Sequence, residues 1–246
     1  MRLLCLLFLC LTGWGVNAAP LRIAVASNFY PTLQTLVAEY PFPVVLSHAS
    51  SGKLYAQIKQ GAPFELFLSA DMQKPRKLVE LGLAEPSSLA IYARGQLALF
   101  APGIERLTSL QQVFTAQHSP TIAIANPRFA PYGVAAQLFL FKHASKKSDI
   151  YKLVMAENVS QALLYVASGN ADAGLVAYSQ LVDKTDIPSS QFMLLPETDY
   201  PAIEQGIVIL KNENTEKGKQ FYRFIFSAAT QSRLTKLGYL IPESSP

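Results

Sequence analysis

Runs of apolar residues alternate with amphipathic segments along most of the chain. The segment LRIAVA at 21–26 is an unbroken β-type run, and NFYPTLQTLVAEY at 28–40 places its apolar residues at helical spacing. The same order continues through FPVVLSH, GKLYAQIKQG, FELFLSA and MQKPRKLVELGL, the last of which ends at a glycine. Apolar strands without strict alternation, separated by helices, predict a parallel sheet covered on both faces.

Two later apolar runs are each too long for one ordinary strand. They are LAIYARGQLALFAP at 89–102 and AIEQGIVILKN at 202–212. Because each run is long enough to pass from one sheet into another, we predict two α/β lobes joined by two crossing strands. Lobe 1 is expected to comprise residues 19–95 together with the return strand and C-terminal helices of 201–246. Lobe 2 is expected to comprise residues 96–200.

The region between and after these runs has the same alternation. The expected elements are a helix around SLQQVFTAQ, the strand TIAIAN, a helix from Gly133 to about His143, the helix VSQALLYVASGN, the strand AGLVAYS and helices near 215–227 and 230–237. Strand and helix therefore alternate in the second lobe as they do in the first, which is typical of α/β folds.

The first eighteen residues have the pattern of an export signal. Arg2 precedes the apolar run LLCLLFLCL, and VNA, which ends at Ala18, is a small-residue cleavage site. The run is too short to span a bilayer of about 30 Å, and no later segment is long enough. We therefore expect a periplasmic protein that is cut after Ala18. Cys10 would permit a lipid anchor instead, but Leu9 stands where a lipidation signal has a small residue.

Composition and charge exclude several classes of protein. Both cysteines, Cys5 and Cys10, lie in the predicted signal, so residues 19–246 carry no thiol for a disulfide, a cysteine-metal site or a nucleophile. The net charge is +4, and the basic residues are scattered, so nothing indicates a nucleic-acid partner. The three histidines are isolated and lack paired ligand spacing, which argues against a metal enzyme.

Four junctions of a strand with a helix carry residues suited to binding an anion. These residues are Ser27 and Asn28, Ser50 and Ser51, Pro131 to Gly133, and Val159. The first N–H groups of a helix have no partner within it, and the aligned backbone dipoles give that end a partial positive charge. An anion can therefore bind there without a basic side chain. In open α/β sheets such turns lie at the carboxyl edge of the strands, where ligands bind.

Two junctions from each lobe, facing each other across a cleft, would enclose a small anion with neutral donors. Each residue alone also fits an ordinary role: Ser27, Asn28 and Ser50 are common helix caps, and Tyr132 and Val159 are common core residues. Only their combination predicts a binding site.

At these residues the sequence resembles the periplasmic molybdate-binding proteins of ABC importers. The resemblance covers nearly the whole chain after residue 18 and is strongest at VASNF, SSGKLYAQIKQGAPFELFLSAD and PYG. It continues through ENVSQALLYVASGNADAGLVAYSQ and YPAIEQGIVIL. The resemblance implies a monomeric two-lobed clamp, without catalysis or cofactor, that captures molybdate or tungstate and delivers it to a membrane permease.

The same resemblance assigns roles to individual residues. Ser27 and Ser51 match hydroxyl and amide donors of the first lobe, while Tyr132 and Val159 match positions that give backbone N–H groups from the second. Many relatives have a ligand-binding tyrosine where this chain has Ala177, and Tyr178 lies one position later, on the opposite face of a strand.

Two further departures from the commonest family pattern compensate for that missing tyrosine. Asn28 stands where many relatives have an apolar residue, and Tyr132 where many have alanine. A subgroup of relatives makes this exchange, which adds the Asn28 amide and the Tyr132 hydroxyl to the expected donors. The predicted oxyanion site is therefore formed by Ser27, Asn28, Ser51, Tyr132 and Val159.

Two charged residues lie close to the predicted site. Lys53 follows the SSG turn, which lacks the spacing of a phosphate loop, and is expected to point into solvent, where it would raise the local potential and hasten anion capture. Glu157 lies two residues before Val159 and is expected to point away from a bound dianion.

Two alternatives to a molybdate clamp remain open at the level of sequence. A clamp of the same fold can bind sulfate, phosphate or a small organic acid. HASSG is also a degenerate G-x-S-x-G elbow, which would make Ser50 the nucleophile of an exported α/β hydrolase. His48 replaces the first glycine of that motif, and no histidine follows His143 to complete a triad.

Overall fold

A computed structural model describes residues 19–116, 119–144, 151–182, 184–212 and 215–242. The predicted signal peptide and its cleavage site lie outside these residues. In the described part of the chain, ten strands form two five-stranded sheets. None of the helices in these ranges combines the length and the apolar character needed to cross a membrane.

The strands and helices follow the predicted alternation. The strands are β1 Leu21–Ala26, β2 Val44–Ala49, β3 Leu66–Leu68, β4 Ala90–Gly95, β5 Leu97–Phe100, β6 Thr121–Ala125, β7 Lys152–Ala156, β8 Ala173–Ala177, β9 Phe192–Leu194 and β10 Ile203–Ile209. The α-helices are α1 Tyr30–Val37, α2 Ser51–Lys59, α3 Gln73–Glu80, α4 Leu110–Ala116, α5 Pro131–His143, α6 Val159–Ala167, α7 Thr215–Ile225 and α8 Ala228–Lys236. Short 3₁₀ helices occupy Pro86–Ser88, Tyr178–Gln180, Ser189–Gln191 and Glu197–Asp199.

Each sheet is mixed, whereas the pattern of apolar runs predicts parallel sheets. The first sheet has the order β2-β1-β3-β10-β4, with β1 parallel to β2 and β3, and β10 antiparallel to β3 and β4. The second has the order β7-β6-β8-β5-β9, with β6 parallel to β7 and β8, and β5 antiparallel to β8 and β9. The antiparallel pairs arise because β5 and β10 enter their sheets from the other lobe, at the carboxyl edge of the parallel strands. The predicted class, two α/β lobes forming a clamp, is confirmed.

The two long apolar runs join the lobes in different ways. In the first run, β4 belongs to the first sheet and β5 to the second, with Gln96 between them. In the second run, the strand β10 lies wholly in the first sheet. Its return from the second sheet takes place before Ile203, through the segment that includes the 3₁₀ helix Glu197–Asp199. The first crossing is therefore a continuous extended run, and the second is an irregular segment followed by a strand.

Aromatic packing in the core of the first lobe holds the turn that follows β1. In the first sheet, the ring of Phe29 packs against Tyr92 and Tyr239, with ring centroids 4.8 and 5.4 Å apart, and all three side chains are buried. The Tyr239 hydroxyl donates to the carbonyl oxygen of Asn28 at 3.2 Å. This packing fixes the turn between β1 and α1, where two predicted site residues lie.

Candidate anion-binding site

A small cavity lies between the lobes where the four predicted junctions meet. It is tight: only about 10 Å³ of it is open to the centre of a water molecule. Its wall is formed by Ala26, Ser27, Asn28, Ser50, Ser51, Ala70, Ala130, Pro131, Tyr132 and Val159. The structure thus brings the five predicted site residues together around one space, and none of the residues in this wall carries a charge. That these residues contact a ligand remains a prediction.

Ser27 and Asn28 form the first side of the cavity. The N–H of Ser27 donates to the Ala49 carbonyl at 2.9 Å, which ties the end of β1 to β2. Helix α1 begins at Tyr30, with Phe29 in the N-cap position and no side-chain cap. Neither Ser27 nor Asn28 therefore acts as the helix cap that each would be in the ordinary interpretation. The Asn28 side chain instead donates from Nδ2 to Gln205 Oε1 at 2.9 Å.

The Ser50–Ser51 pair forms the second side of the cavity, at the start of α2. Ser50 occupies the N-cap position, but its hydroxyl makes no capping bond and is buried without a hydrogen-bond partner among the described residues. The Ser51 hydroxyl accepts a hydrogen bond from the Ala70 N–H at 2.9 Å. Because that bond uses the oxygen as acceptor, the Ser51 hydroxyl proton remains available to a ligand. The structure therefore adds Ser50, which the sequence pattern treats only as a cap or nucleophile, to the possible donors.

Gly52 allows the second lobe to approach this turn closely. Its N–H donates across the cleft to the Phe129 carbonyl at 2.9 Å. A Cβ atom at Gly52 would lie only 2.9 Å from that oxygen and 3.0 Å from the Phe129 Cα. Glycine at this position therefore permits a direct backbone contact between the lobes beside the cavity.

The second lobe contributes the starts of α5 and α6. Helix α5 begins at Pro131, a residue suited to the first helical position because it has no N–H to leave unpaired. Helix α6 begins at Val159, and its N-cap Asn158 accepts from the Gln161 N–H at 3.0 Å. The N–H groups of Tyr132 and Val159 lie in the first turns, where a helix supplies no acceptor of its own. Both helices thus direct the positive ends of their dipoles to the cavity.

The Tyr132 hydroxyl is a neutral, buried group. It has no hydrogen-bond partner among the described residues. Burial raises the pKa of Tyr132 well above its ordinary value, the nearby Tyr239 and Tyr200 raise it further, and Gln205 lowers it in part. The hydroxyl therefore keeps its proton at neutral pH and can donate it.

A second set of contacts closes the cleft behind Ser27. The Ser160 hydroxyl, on α6, donates to the Ser27 carbonyl at 2.9 Å. Gln180 Nε2 lies 2.6 Å from the Ser160 hydroxyl oxygen, to which it donates, and 3.4 Å from the same carbonyl. These side chains belong to the second lobe, so they hold the β1–α1 turn of the first lobe against it.

Lys53 and Glu157 form an ion pair between the lobes. Lys53 Nζ lies 2.8 Å from Glu157 Oε1, and the two side chains are 41% and 63% exposed. Lys53 is thus partly exposed to solvent, and its contact with a carboxylate of the facing lobe is one that the sequence did not predict. The Lys53 charge also neutralises Glu157, the acidic residue two positions before Val159.

The structure gives no support to the hydrolase alternative. A serine nucleophile needs a base within hydrogen-bond reach, and the Ser50 hydroxyl has no partner in the part of the chain that the structure describes. His48 stacks on Tyr30, with ring centroids 4.0 Å apart, and His143 pairs with Asp199. His118 lies outside the described residues. The described ranges also contain no cluster of three or more His, Cys, Asp or Glu residues placed to hold a metal ion.

Tyr178, which the sequence analysis excludes from the predicted site, lies outside the cavity wall. It begins the 3₁₀ helix after β8, and its N–H donates to the Gln96 carbonyl at 3.0 Å. Its ring packs near Phe192, with ring centroids 6.1 Å apart, and against Gly238. Tyr178 is not among the residues that line the cavity.

Two lobes that close over a small cavity lined by helix starts define a ligand-capturing clamp. Residues 21–240 match the family described as bacterial extracellular solute-binding protein, and the chain belongs to that family.

Relatives with known names sharpen this assignment. The chain is 36% identical over 222 residues to the molybdate-binding protein ModA of Rhodobacter capsulatus, which covers 88% of this chain and 86% of that protein. It is 33% identical over 204 residues to ModA of Azotobacter vinelandii, covering 81% of each. The solved structure of the Azotobacter vinelandii periplasmic molybdate-binding protein matches with a TM-score of 0.80 at 32% identity, covering 91% of this chain and 100% of that one. The family resemblance stated from the sequence motifs is confirmed.

Proposed function

We propose that this protein captures molybdate between its two lobes and delivers it to the membrane permease of an ABC importer. The observation that carries the proposal is the uncharged cavity between the lobes, where serine hydroxyls of the first lobe face the helix starts of the second. The relatives named as molybdate-binding proteins support the identity of the ligand. Tungstate, a tetrahedral oxyanion of nearly the same size, is expected to bind as well.

The chemistry of capture is the replacement of water by fixed donors. A dianion entering the cleft loses its hydration shell and gains hydrogen bonds from hydroxyl and backbone N–H groups, each worth about 1.5–3 kcal/mol net when the acceptor is charged. Ser27 and Ser51 would donate from the first lobe, and the N–H groups of Tyr132 and Val159 from the second. The Asn28 amide and the Tyr132 hydroxyl would complete the shell.

Neutral donors also suit the later release of the ligand. A transport protein must give up its ligand to the permease, and a site without lysine or arginine avoids a direct ion pair that release would have to break. A fully ionised anion has no proton to donate, so hydrogen-bond acceptors such as carboxylates must not face it. The Lys53–Glu157 pair meets that condition, because it holds the nearby carboxylate on a cation.

The size of the cavity would select among oxyanions. A rigid set of donors placed for molybdate leaves longer, weaker hydrogen bonds to the smaller sulfate ion. Closure about the segments that join β4 to β5 and β9 to β10 would bring both lobes onto the ligand, as a hinge motion of the type found in periplasmic binding proteins. The permease would then recognise the closed form. The protein acts in this proposal as an exported monomer, cut after Ala18, with no cofactor and no catalytic activity.

The proposal is tested by ligand binding to residues 19–246. Thermal shift and calorimetry should be run with molybdate, tungstate, sulfate and phosphate at equal concentrations. Molybdate and tungstate should each raise the melting temperature, since a ligand present at a thousandfold its Kd stabilises by about 4 kcal/mol. Sulfate and phosphate should produce little or no shift. A response to phosphate, sulfate or a carboxylate alone would overturn the ligand assignment.

A further inference from the structure

Gln205 occupies an unusual position behind the predicted donors. It lies on β10, beside the bulge between Gln205 and Gly206, and is fully buried. Its Oε1 accepts two hydrogen bonds, from Asn28 Nδ2 and from the Tyr92 hydroxyl, each at 2.9 Å. Because both donors approach the oxygen, the Gln205 Nε2 group is directed away from them.

The other end of the Gln205 amide lies beside the Tyr132 hydroxyl. Both atoms are buried, and by distance and angle neither has a hydrogen-bond partner among the described residues, but the Gln205 amide lowers the pKa of Tyr132 as a side-chain hydrogen bond would. Both also border Gly95, the last residue of β4: a Cβ there would lie 2.7 Å from Gln205 Nε2 and would overlap the Tyr132 hydroxyl oxygen. Only glycine at this position leaves space for the two groups to meet.

An amide nitrogen beside a hydroxyl oxygen determines where the hydroxyl proton points. When Gln205 Nε2 donates to the Tyr132 oxygen, the hydroxyl proton must be directed elsewhere. Tyr132 is among the residues that line the cavity, which makes an oxyanion held there the candidate acceptor of this proton. Asn28 also keeps one hydrogen of its amide after the other has been donated to Gln205.

We propose that Gln205 is a positioning residue for oxyanion binding, whose amide oxygen fixes the Asn28 side chain and whose amide nitrogen orients the Tyr132 hydroxyl. This inference rests on the proposed function. Gln205 lies on a strand next to the inter-lobe crossing, and it faces one donor from each lobe. It therefore links the arrangement of the two donors to the closure of the cleft.

Two further facts support this role. Tyr132 keeps its proton, since its pKa is raised well above the ordinary value by burial. The Tyr92 hydroxyl, itself fully buried, fixes the side of the amide that carries the oxygen. With its oxygen held in this way, the amide group cannot flip without leaving two buried donors, Asn28 Nδ2 and the Tyr92 hydroxyl, unpaired, which is unfavourable.

A double-mutant cycle tests the inference. Molybdate affinity should be measured by calorimetry for the wild type, Gln205→Met, Tyr132→Phe and the double variant, with melting temperatures taken without ligand. Gln205→Met should weaken binding about tenfold in the wild-type background and clearly less in the Tyr132→Phe background, because the hydroxyl it orients is absent there. A merely structural glutamine would lower the melting temperature and weaken binding equally in both backgrounds.

Gln231 provides a matched control. Its Nε2 donates to the carbonyls of Ile225 and Tyr92 at 2.8 and 3.3 Å, away from the cavity. Gln231→Met should change the melting temperature without coupling to Tyr132→Phe. If Gln205→Met does not fold, Gln205→Glu, which keeps the shape but replaces the donor with an acceptor, enters the same cycle.

The outcomes separate this inference from the proposed function. If the wild type binds molybdate but the loss caused by the Gln205 variant is the same in both backgrounds, or is absent, the positioning role is overturned and the proposed function stands. If the wild type binds no tetrahedral oxyanion, both fail. Coupling between Gln205 and Tyr132, with none for Gln231, supports the role.

Discussion

The two lobes build their sides of the cavity from different chemical groups. Lobe 1 lines it with four polar residues, Ser27, Asn28, Ser50 and Ser51, whose side chains are its main donors in the proposed site. Lobe 2 lines it with residues at the starts of α5 and α6, of which only Tyr132 has a polar side chain, so its main donors in the proposed site are backbone N–H groups. Side-chain donors can be removed one at a time by substitution, whereas backbone donors survive most substitutions. The lobes should therefore respond to mutation in different ways.

The largest effect is expected where the backbone of one lobe meets the backbone of the other. Gly52→Ala places a Cβ against the Phe129 backbone and should prevent the lobes from reaching their closed distance. We expect molybdate affinity to fall about a hundredfold, or roughly 2.7 kcal/mol, by calorimetry. Gly103→Ala is the control, because a Cβ there meets nothing within 4 Å. Equal affinities for the two variants would mean that this contact is not required for binding.

A smaller effect should distinguish side-chain from backbone donors. Ser51→Ala removes a hydroxyl of lobe 1 and should weaken molybdate binding about tenfold, or roughly 1.4 kcal/mol. Val159→Ala keeps the N–H of lobe 2, so its affinity should stay within about twofold of the wild type although the fold loses some buried apolar surface. Calorimetry gives the affinities, and melting temperatures report the loss of packing. The reverse order of affinities would contradict the division of roles between the lobes.

The smallest effect is expected at the ion pair that spans the cleft. Lys53→Met should change affinity by about twofold or less, because pairs between exposed groups contribute about 0–1 kcal/mol. Glu157→Gln should instead speed association at low salt, since it leaves the Lys53 charge free to attract the anion. Stopped-flow association at two salt concentrations measures both. A tenfold loss of affinity in Lys53→Met would mean that lysine holds the anion directly, against the neutral-donor model.

The difference between the lobes also explains which predicted site residues can be recognised from the sequence. Serine and asparagine at the strand ends of lobe 1 are visible as chemical types, so Ser27, Asn28 and Ser51 can be selected from the sequence. In lobe 2, a valine at position 159 has no polar side chain, and only the family resemblance selects it. The sequence assigns Ser50 only a capping or nucleophilic role, and it gives no sign that the hydroxyl is buried without a partner among the described residues.

Local patterns predict most of the elements and fail at their ends and pairings. The strand at 21–26 is found as predicted, whereas the helix expected over 28–40 extends only over Tyr30–Val37. Pro31 explains the later start, because proline is tolerated in the first turn of a helix and not in its interior. The antiparallel pairing of β5 and β10 arises because the chain passes from one lobe to the other. A pattern read within a short segment cannot predict that passage.

By itself, the sequence determined the order of strands and helices, the family and the small polar residues at the strand ends, because these depend on local periodicity and on short motifs. Only the tertiary structure decided which groups meet: Lys53 with Glu157, Gly52 with Phe129, and Gln205 with Asn28, 177 positions away. Such contacts depend on how two sheets face each other across a cleft. That arrangement is set by packing summed over the whole chain, and no pattern within one segment encodes it.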